Sequence, residues 1–455
     1  MRNTMFVFLF LASISTLAKK RPNIILLMAD DMSPRELPIY GNKIAKTPHL
    51  DLLAQNGVFF KTAWATPKNQ ATLAMLMTGK YAHQTEWYHG SMRPSIEEKN
   101  HHLHEHKLFS NVAKEAGYKT LMAGKFQLNG KVTDHGFDEY FITGDWHGPE
   151  GFGQYVTKKG KTKPSCYWNP YVSIYKHEED TAEWLQTTDN DFGPEMVLRY
   201  SMDFIRRAHR EDKPFLLYMP LHLGNRNGNN NLPKTPQYSF FPRRTYIYSD
   251  NSMAAHANYI DMMIGQLKLQ LHKIKELENT IFIITSDNAS EDFGKESVSL
   301  EKGTRVPLII SGAGVKAIGR SDALTDLTDI FPTIEELVGA KLSQNIDGVS
   351  LVPVLHGKHK THREWIYSYM TVHQMVRTKD ILKDGYNMYW HQMDHGPYKL
   401  ISGNSVEFAD QIAIIKKVLK EIPAPSRQDS LYLRYMTKIK DKKSKDGPYM
   451  SNTPK

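Results

Sequence analysis

A mostly parallel α/β sheet sandwiched by helices, with a small C-terminal α+β domain behind it, is the fold class this sequence predicts. Three observations carry it. Short, wholly apolar runs recur along the chain, as in strands buried on both faces. Helical stretches separate those runs. Near residue 357 the pattern changes to strand-like segments with one helix against them. The length of 455 residues suits one large domain plus a smaller one, and 40% hydrophobic with 24% charged residues is the balance of a globular chain.

The elements follow in order. Residues 1–18, MRNTMFVFLFLASISTLA, read as a signal peptide: Arg2 is the basic start, Met5 to Leu11 the apolar core, and Thr16 and Ala18 suit a cleavage site. The apolar run is too short to span a bilayer, and no later stretch is long and apolar enough to do so. An exported chain, periplasmic or secreted, is expected. Ile24–Met28 is the first buried strand. Leu121–Ala123 follows a helical stretch near 109–116, and Phe215–Met219 follows one near 194–208. Ile281–Thr285 follows a long one near 252–275, in which Ile260, Ile264, Leu267 and Leu271 share one face. Leu308–Ile310 is another short buried run. Residues 145–190 read as an insertion and 224–244 as a polar loop. Trp365–Met370 and Tyr398–Ile401 read as strands of the small domain, with Val406–Ile422 as its helix. The expected boundaries are 19–357 for the large domain, 358–436 for the small one and 437–455 for a basic solvated tail.

Polar residues collect where these strands end, the edge at which open parallel sheets bind ligands. Asp30 and Asp31 end the first strand, Lys125 follows the second run, and Asp287 and Asn288 follow Ile281–Thr285. Any one of these aspartates is most simply a turn or helix cap. Two strand ends carrying Asp-Asp and Asp-Asn point instead to a hard divalent cation, calcium or magnesium, which prefers oxygen ligands. The single cysteine, Cys166, excludes an intrachain disulfide and a cysteine-built zinc site. The net charge of +9 suits an acidic partner, and no nucleic-acid-binding pattern accompanies it.

RPNIILLMADD, then TPHLDLLAQNGVFF (47–60), TGKY (78–81), AGYKTLMAGKFQL (116–128) and HGFDEYF (135–141) form an ordered series. It continues through KPFLLYMP (213–220), ENTIFIITSDN (278–288), EKGTRVPLII (301–310) and DIFPTIEELVG (329–339). The series resembles the sulfatase family of the alkaline phosphatase superfamily over most of residues 21–356. HREWIYSYM and GPYKLI are similar to that family's small second domain. The resemblance implies an exported sulfuric ester hydrolase with one calcium ion, ligated here by Asp30, Asp31, Asp287 and Asn288. It places two basic residues of the site on Lys125 and, with a one-residue insertion, on Lys295. A sulfated or otherwise anionic ester or glycan is the implied partner.

The sequence departs from the family at the nucleophile. The C/S-x-P-S-R motif, whose first residue becomes formylglycine, falls on Asn69, Gln70, Ala71, Thr72 and Leu73, so no formylglycine is expected. The family histidine after the Lys125 motif is Gln127. The histidine after the Phe215 strand is Asn225, with His222 three residues earlier as a substitute. Asn69 is expected to cap the helix Gln70–Met77, which stops at Gly79, and its carbonyl also suits a hard cation. The helix start attracts anions. Thr72, or Thr66 outside the motif, is the remaining hydroxyl for a nucleophile.

Four histidines in NHHLHEHK (His101, His102, His104, His106) suit either a transition metal or a solvated loop. Cys166 reads as an ordinary thiol, and Arg305 as structural. Three functions compete: a sulfatase-family hydrolase attacking with metal-bound water or a threonine, an inactive sulfatase-like protein binding a sulfated glycan, and a phosphoesterase with a threonine nucleophile.

Overall fold

The computed structural model describes residues 21–88, 103–128, 132–144, 154–156, 162–176, 179–226, 231–237, 247–392 and 397–424. The expected signal peptide 1–18 and basic tail 437–455 lie outside them. So do His101 and His102.

Among the described residues, eleven strands form the main sheet. In chain order they are β1 (Asn23–Ala29), β2 (Val58–Trp64), β3 (Lys119–Gly124), β4 (Glu139–Thr143), β5 (Val172–Lys176) and β6 (Glu179–Leu185). Next come β7 (Phe215–Pro220), β8 (Thr280–Ser286), β9 (Arg305–Val306), β10 (Leu308–Gly312) and β11 (Gly319–Asp326). The centre runs β8-β1-β7-β3-β4, all parallel. Antiparallel strands extend both sides, with β10 against β8 and β5 against β4. The Leu308 run is therefore a buried strand of opposite direction, which its short apolar pattern could not reveal. Part of the expected insertion 145–190 also belongs to the sheet, since β5 and β6 add to its edge. In the expected loop 224–244, Pro236–Gln237 pairs with Ile247–Tyr248 in a short antiparallel ribbon.

Alternation along β1 makes two cores. Ile24, Leu26 and Met28 face α2 (Asn69–Thr78), α3 (Phe109–Glu115) and α6 (Ile330–Leu337). Ile25, Leu27 and Ala29 face α1 (Pro48–Gln55), α4 (Gly193–Arg210) and α5 (Met253–Lys273). The predicted face of α5 is the observed one: Ile260, Ile264, Leu267 and Leu271 are all buried. Ser252 caps α5 by accepting from the Ala255 amide.

The second sheet is antiparallel, β12 (Ile366–Met370) to β16 (Tyr398–Ile401), with β13 (His373–Arg377), β14 (Ile381–Lys383) and β15 (Tyr389–Gln392) between. Helix α7 (Ala409–Glu421) packs on it through Ile412, Ile415 and Val418. Trp64 of β2 shares an apolar cluster with Ile366, Met375 and Leu382. At this seam Glu301 is buried and accepts from Trp64 Nε1 at 3.1 Å, Arg305 Nη1 at 3.2 Å and Arg377 Nη1 at 3.3 Å. Arg305 also donates to the Lys61 carbonyl, so its role is structural.

Burial pushes the Glu301 carboxyl up, but Arg377 and Arg305 more than reverse this and hold it at about 2. A lowered folded-state pKa contributes stability above the ordinary carboxylate range that is lost as pH falls through the folded value. Urea midpoints of the wild type should therefore drop between pH 4.5 and about 2 more steeply than those of Glu301→Gln. At neutral pH the substitution should cost roughly 3–5 kcal/mol. Parallel pH curves for the two proteins would contradict this account.

Candidate metal and anion site

Strand register builds the site. Ala29 of β1 lies beside Ser286 of β8, so Asp30 and Asp287 leave the sheet together. On the other side of β1, the Asp30 amide donates to the Leu223 carbonyl at 3.0 Å, and the Lys125 amide donates to the Pro220 carbonyl at 2.6 Å. Four parallel strands therefore deliver Asp287, Asp30, His222 and Lys125 to one edge. Gly124 is required there. Its φ is +135°, and a Cβ would lie 2.1 Å from the Pro220 oxygen.

Asp30, Asp31 and Asp287 each offer an oxygen, and these lie within 4.8 Å of one another. All three side chains are buried. Asp31 adopts φ +54°, a strained conformation for a residue with a side chain, and its amide donates to Asp287 Oδ1 at 2.9 Å. Lys125 Nζ lies 2.8 Å from Asp30 Oδ2 and 2.7 Å from Asp287 Oδ2. Lys295 pairs with Asp31. Burial raises the pKa of all three carboxyls, with Asp287 pushed up to about 6. Burial alone would also discharge Lys125 and Lys295, but the neighbouring carboxylates hold both protons on. Three carboxylates against two ammonium groups leave the cluster negative.

Two buried oxygens there have no hydrogen-bond partner: Asp30 Oδ1 and Asn288 Oδ1. The Asn288 amide is oriented by its own Nδ2, which donates to Asp31 Oδ1 at 2.7 Å and to the Ala289 carbonyl at 2.8 Å. Orphaned buried acceptors beside surplus negative charge suit a hard cation.

The turn after β7 is set from three sides. Asn225 Nδ2 donates to Asp30 Oδ2 at 2.9 Å. The Tyr167 hydroxyl bonds the His222 and Asn225 carbonyls. His256 Nδ1 accepts from the Gly224 amide at 2.8 Å, and its Nε2 donates to the Pro233 carbonyl at 2.7 Å. Burial lowers His256 to about 4, which keeps this neutral tautomer. His222 Nε2 donates to the Thr143 carbonyl at 2.9 Å. Burial and Lys125 lower its pKa to about 3, so it is a neutral donor committed to the backbone.

At Asn69, where the motif resemblance places the family nucleophile, the expected cap is replaced by another arrangement. Lys68 is the N-cap of α2, and Asn69 is the first helical residue. Asn69 Oδ1 accepts from the adjacent Gln70 amide at 2.8 Å, and Nδ2 donates to Gln127 Oε1. The segment before α2 is tied to the Lys295 loop, since the Glu296 amide donates to the Pro67 carbonyl at 3.1 Å and Lys68 pairs with Glu296. Asn69 is thus joined to Gln127, two residues beyond Lys125 in the chain. Thr72 departs from the expectation of a reachable hydroxyl. It is fully buried and lies 2.8 Å from Thr66 Oγ1, which itself donates to the Lys68 carbonyl at 2.7 Å. Both hydroxyls serve the turn into α2.

Cys166 is half-buried, and burial with Asp30 nearby pushes its thiol up to about 12. His106 Nδ1 lies 3.4 Å from Lys80 Nζ, a neighbour unsuited to a metal ligand. Sequence reasoning missed Tyr167, Gly224 and His256. The signals available were an aromatic run inside an insertion, a glycine before Asn225 and a histidine in the first turn of α5.

A family model described as Sulfatase matches residues 22–340. An N-acetylglucosamine-6-O-sulfatase of Bacteroides thetaiotaomicron is 25% identical over 444 residues, which cover 79% of this chain and 78% of that protein. Human arylsulfatase A is 28% identical over 399 residues, covering 81% and 75%. Among solved structures, one in complex with its substrate D-glucosamine-2-N,6-O-disulfate is similar with a TM-score of 0.66 at 19% identity, covering 88% of this chain and 97% of that one. A sulfatase from Pseudoalteromonas sp. gives 0.65 at 19%, covering 93% and 91%. At such identities the structures speak for the fold.

Gly224 has φ +111°, and a Cβ there would lie 1.7 Å from the Asp30 carbonyl oxygen. Gly224→Ala should therefore lower the urea midpoint by more than about 1 kcal/mol of stability. An unchanged midpoint would mean that the turn does not need this approach.

Proposed function

Since the chain belongs to the sulfatase family of hydrolases, we propose that it binds sulfate esters of glycans through a divalent cation, without the formylglycine step of its relatives. The observation that carries the reading is the contrast between two neighbouring places. At the strand ends, Asp30 Oδ1 and Asn288 Oδ1 are buried acceptors without partners. At the former nucleophile, both arms of the Asn69 amide are engaged, with Gln70 and with Gln127.

Asp30, Asp31, Asp287 and Asn288 would hold the cation, calcium first and magnesium as the alternative. When bound, such an ion supplies Lewis acidity to a sulfate oxygen. Lys125 and Lys295 hold positive charge at the same edge and orient the anion, and Asn225 keeps Asp30 turned inward. Asn69 and Gln127 present neutral amides in place of a nucleophile and an acid. A neutral amide is a poor nucleophile, and the Thr72 hydroxyl is sealed against Thr66, which counts against the phosphoesterase reading. A sulfated amino sugar is the favoured ligand class, because similar proteins are named N-acetylglucosamine-6-O-sulfatase and N-acetylgalactosamine-6-sulfatase. Among the described residues no helix is long and apolar enough to cross a membrane. The basic, apolar stretch at Arg2–Leu11 is what supports export to the periplasm or beyond.

Calorimetric titration of the metal-free protein with calcium should show one site, weakened at least tenfold by Asp287→Ala. A 6-sulfated glucosamine should then bind saturably and only with the cation, while aryl sulfate, aryl phosphate and a phosphodiester are not turned over. Sulfate turnover that survives Asn69→Ala and vanishes with Asp287→Ala would instead establish a hydrolase that depends on the acidic cluster and not on Asn69. A protein that takes up no divalent cation would remove the proposal altogether.

A further inference from the structure

We infer that the small C-terminal domain supplies a wall of the ligand site: Tyr386, on the turn between β14 and β15, is a stacking platform for a pyranose ring next to the one that carries the sulfate ester. The inference rests on the cation-dependent binding proposed above and extends it from one sugar unit to two.

Two attachments place this turn at the edge where the acidic cluster sits. β2 runs in the direction of β1, because β10 is antiparallel to both β2 and β8, and β8 is parallel to β1. The segment after Trp64 therefore leaves the sheet at the same edge as Asp30 and Asp287, and it leads to Asn69. Ser368 of β12 donates to the Ala65 carbonyl in that segment at 2.7 Å. The second attachment is to the Lys295 loop. The Gly385 amide donates to the Val298 carbonyl at 2.8 Å, and the Leu300 amide donates to Asp384 Oδ2 at 3.4 Å. Val298 is three residues beyond Lys295, so their Cα atoms are at most about 11 Å apart. Lys295 is itself paired with Asp31. Tyr386 thus stands beside the loop that carries Lys295, within the reach of a ligand longer than one sugar.

The turn is built to hold an exposed ring still. Asp384 is buried and closes it: Oδ1 accepts from the Tyr386 and Met388 amides at 2.9 and 3.1 Å, and Oδ2 accepts from Trp390 Nε1 at 3.0 Å. The Asp384 amide donates to the Met388 carbonyl at 2.9 Å, and Asn387 takes φ +64° at the bend. His373 Nδ1 donates to the Gly385 carbonyl at 2.9 Å, and its ring meets that of Tyr386 at 67° with centroids 5.8 Å apart. Tyr386 is braced in this way and is still 50% exposed, with Met388 two residues on 37% exposed. A single exposed apolar residue is ordinary on a protein surface. A braced aromatic joined to the loop of an anion site is not. The C–H face of a pyranose packs on an aromatic ring, and a ring already held loses little freedom when it does so. The ligand class that uses both places is a saccharide with a sulfate ester at the cation and an uncharged ring face beside it.

The test compares wild type, Tyr386→Ala and Tyr386→Phe by calorimetry in calcium. The probes are glucosamine 6-sulfate and two disaccharides in which an unsulfated pyranose is joined to that sugar at O1 or at O4. Matching thermal melts check that the fold is kept, and the monosaccharide checks that the cation site is kept. Tyr386→Ala should weaken at least one disaccharide about tenfold and leave the monosaccharide within about twofold. Tyr386→Phe should hold all three probes within about twofold of wild type, because the ring and not the hydroxyl makes the contact. Equal weakening of mono- and disaccharides by Tyr386→Ala, no weakening of either disaccharide, or a Tyr386→Phe as harmful as Tyr386→Ala overturns the platform while leaving the cation reading intact. Failure of wild type to bind any probe overturns both.

Discussion

Three carboxylates leave the same edge of a parallel sheet, and all are buried. Asp30, Asp31 and Asp287 cannot be placed so without compensation, because burial and mutual repulsion both disfavour the charged forms. Much of the surrounding structure answers that demand. Lys125 is drawn between two of them, which fixes the end of β3 and makes Gly124 necessary. Lys295 answers the third and brings its loop across the edge, where Glu296 ties it to the segment before α2. The turn after β7 adds Asn225 and needs Gly224 to approach. What compensation remains undone, at Asp30 Oδ1 and Asn288 Oδ1, is the opening for a cation.

Against that charged edge the Asn69–Gln127 pair is neutral. The motif resemblance places the family's nucleophile and a histidine at these two positions, and here one amide bonds the other. On the proposed reading, an edge that recognises an anion coexists with an Asn69 side chain whose two polar atoms are both engaged.

The strand-end residues were legible early because their logic is one-dimensional. Polar residues that end apolar runs meet at one edge when the strands are parallel, so Asp30, Lys125, Asp287 and Asn288 could be named before any fold was seen. Asn225 followed from counting after the Phe215 run. Tyr167 and His256 could not be named this way, since they act from an edge extension and from a helix start far apart in sequence. The cap at Asn69 was misplaced by one residue. A side chain that accepts from the next amide is indistinguishable in sequence from one that caps. Thr72 looked available because a hydroxyl near a helix start carries no mark of what faces it.

By itself, the sequence determined the order of buried strands, the family to which they belong, the residues at the strand ends and an asparagine, not a cysteine, at position 69. These depend on local apolar runs and motif spacing. Only the tertiary structure decided that β10 runs antiparallel and that part of 145–190 joins the sheet. It alone decided that Asn69 binds Gln127 and that Arg226 is paired with Asp292. Strand direction, side-chain partners and exposure depend on which distant segments share a surface, and that depends on how the whole sheet packs rather than on any one stretch of chain.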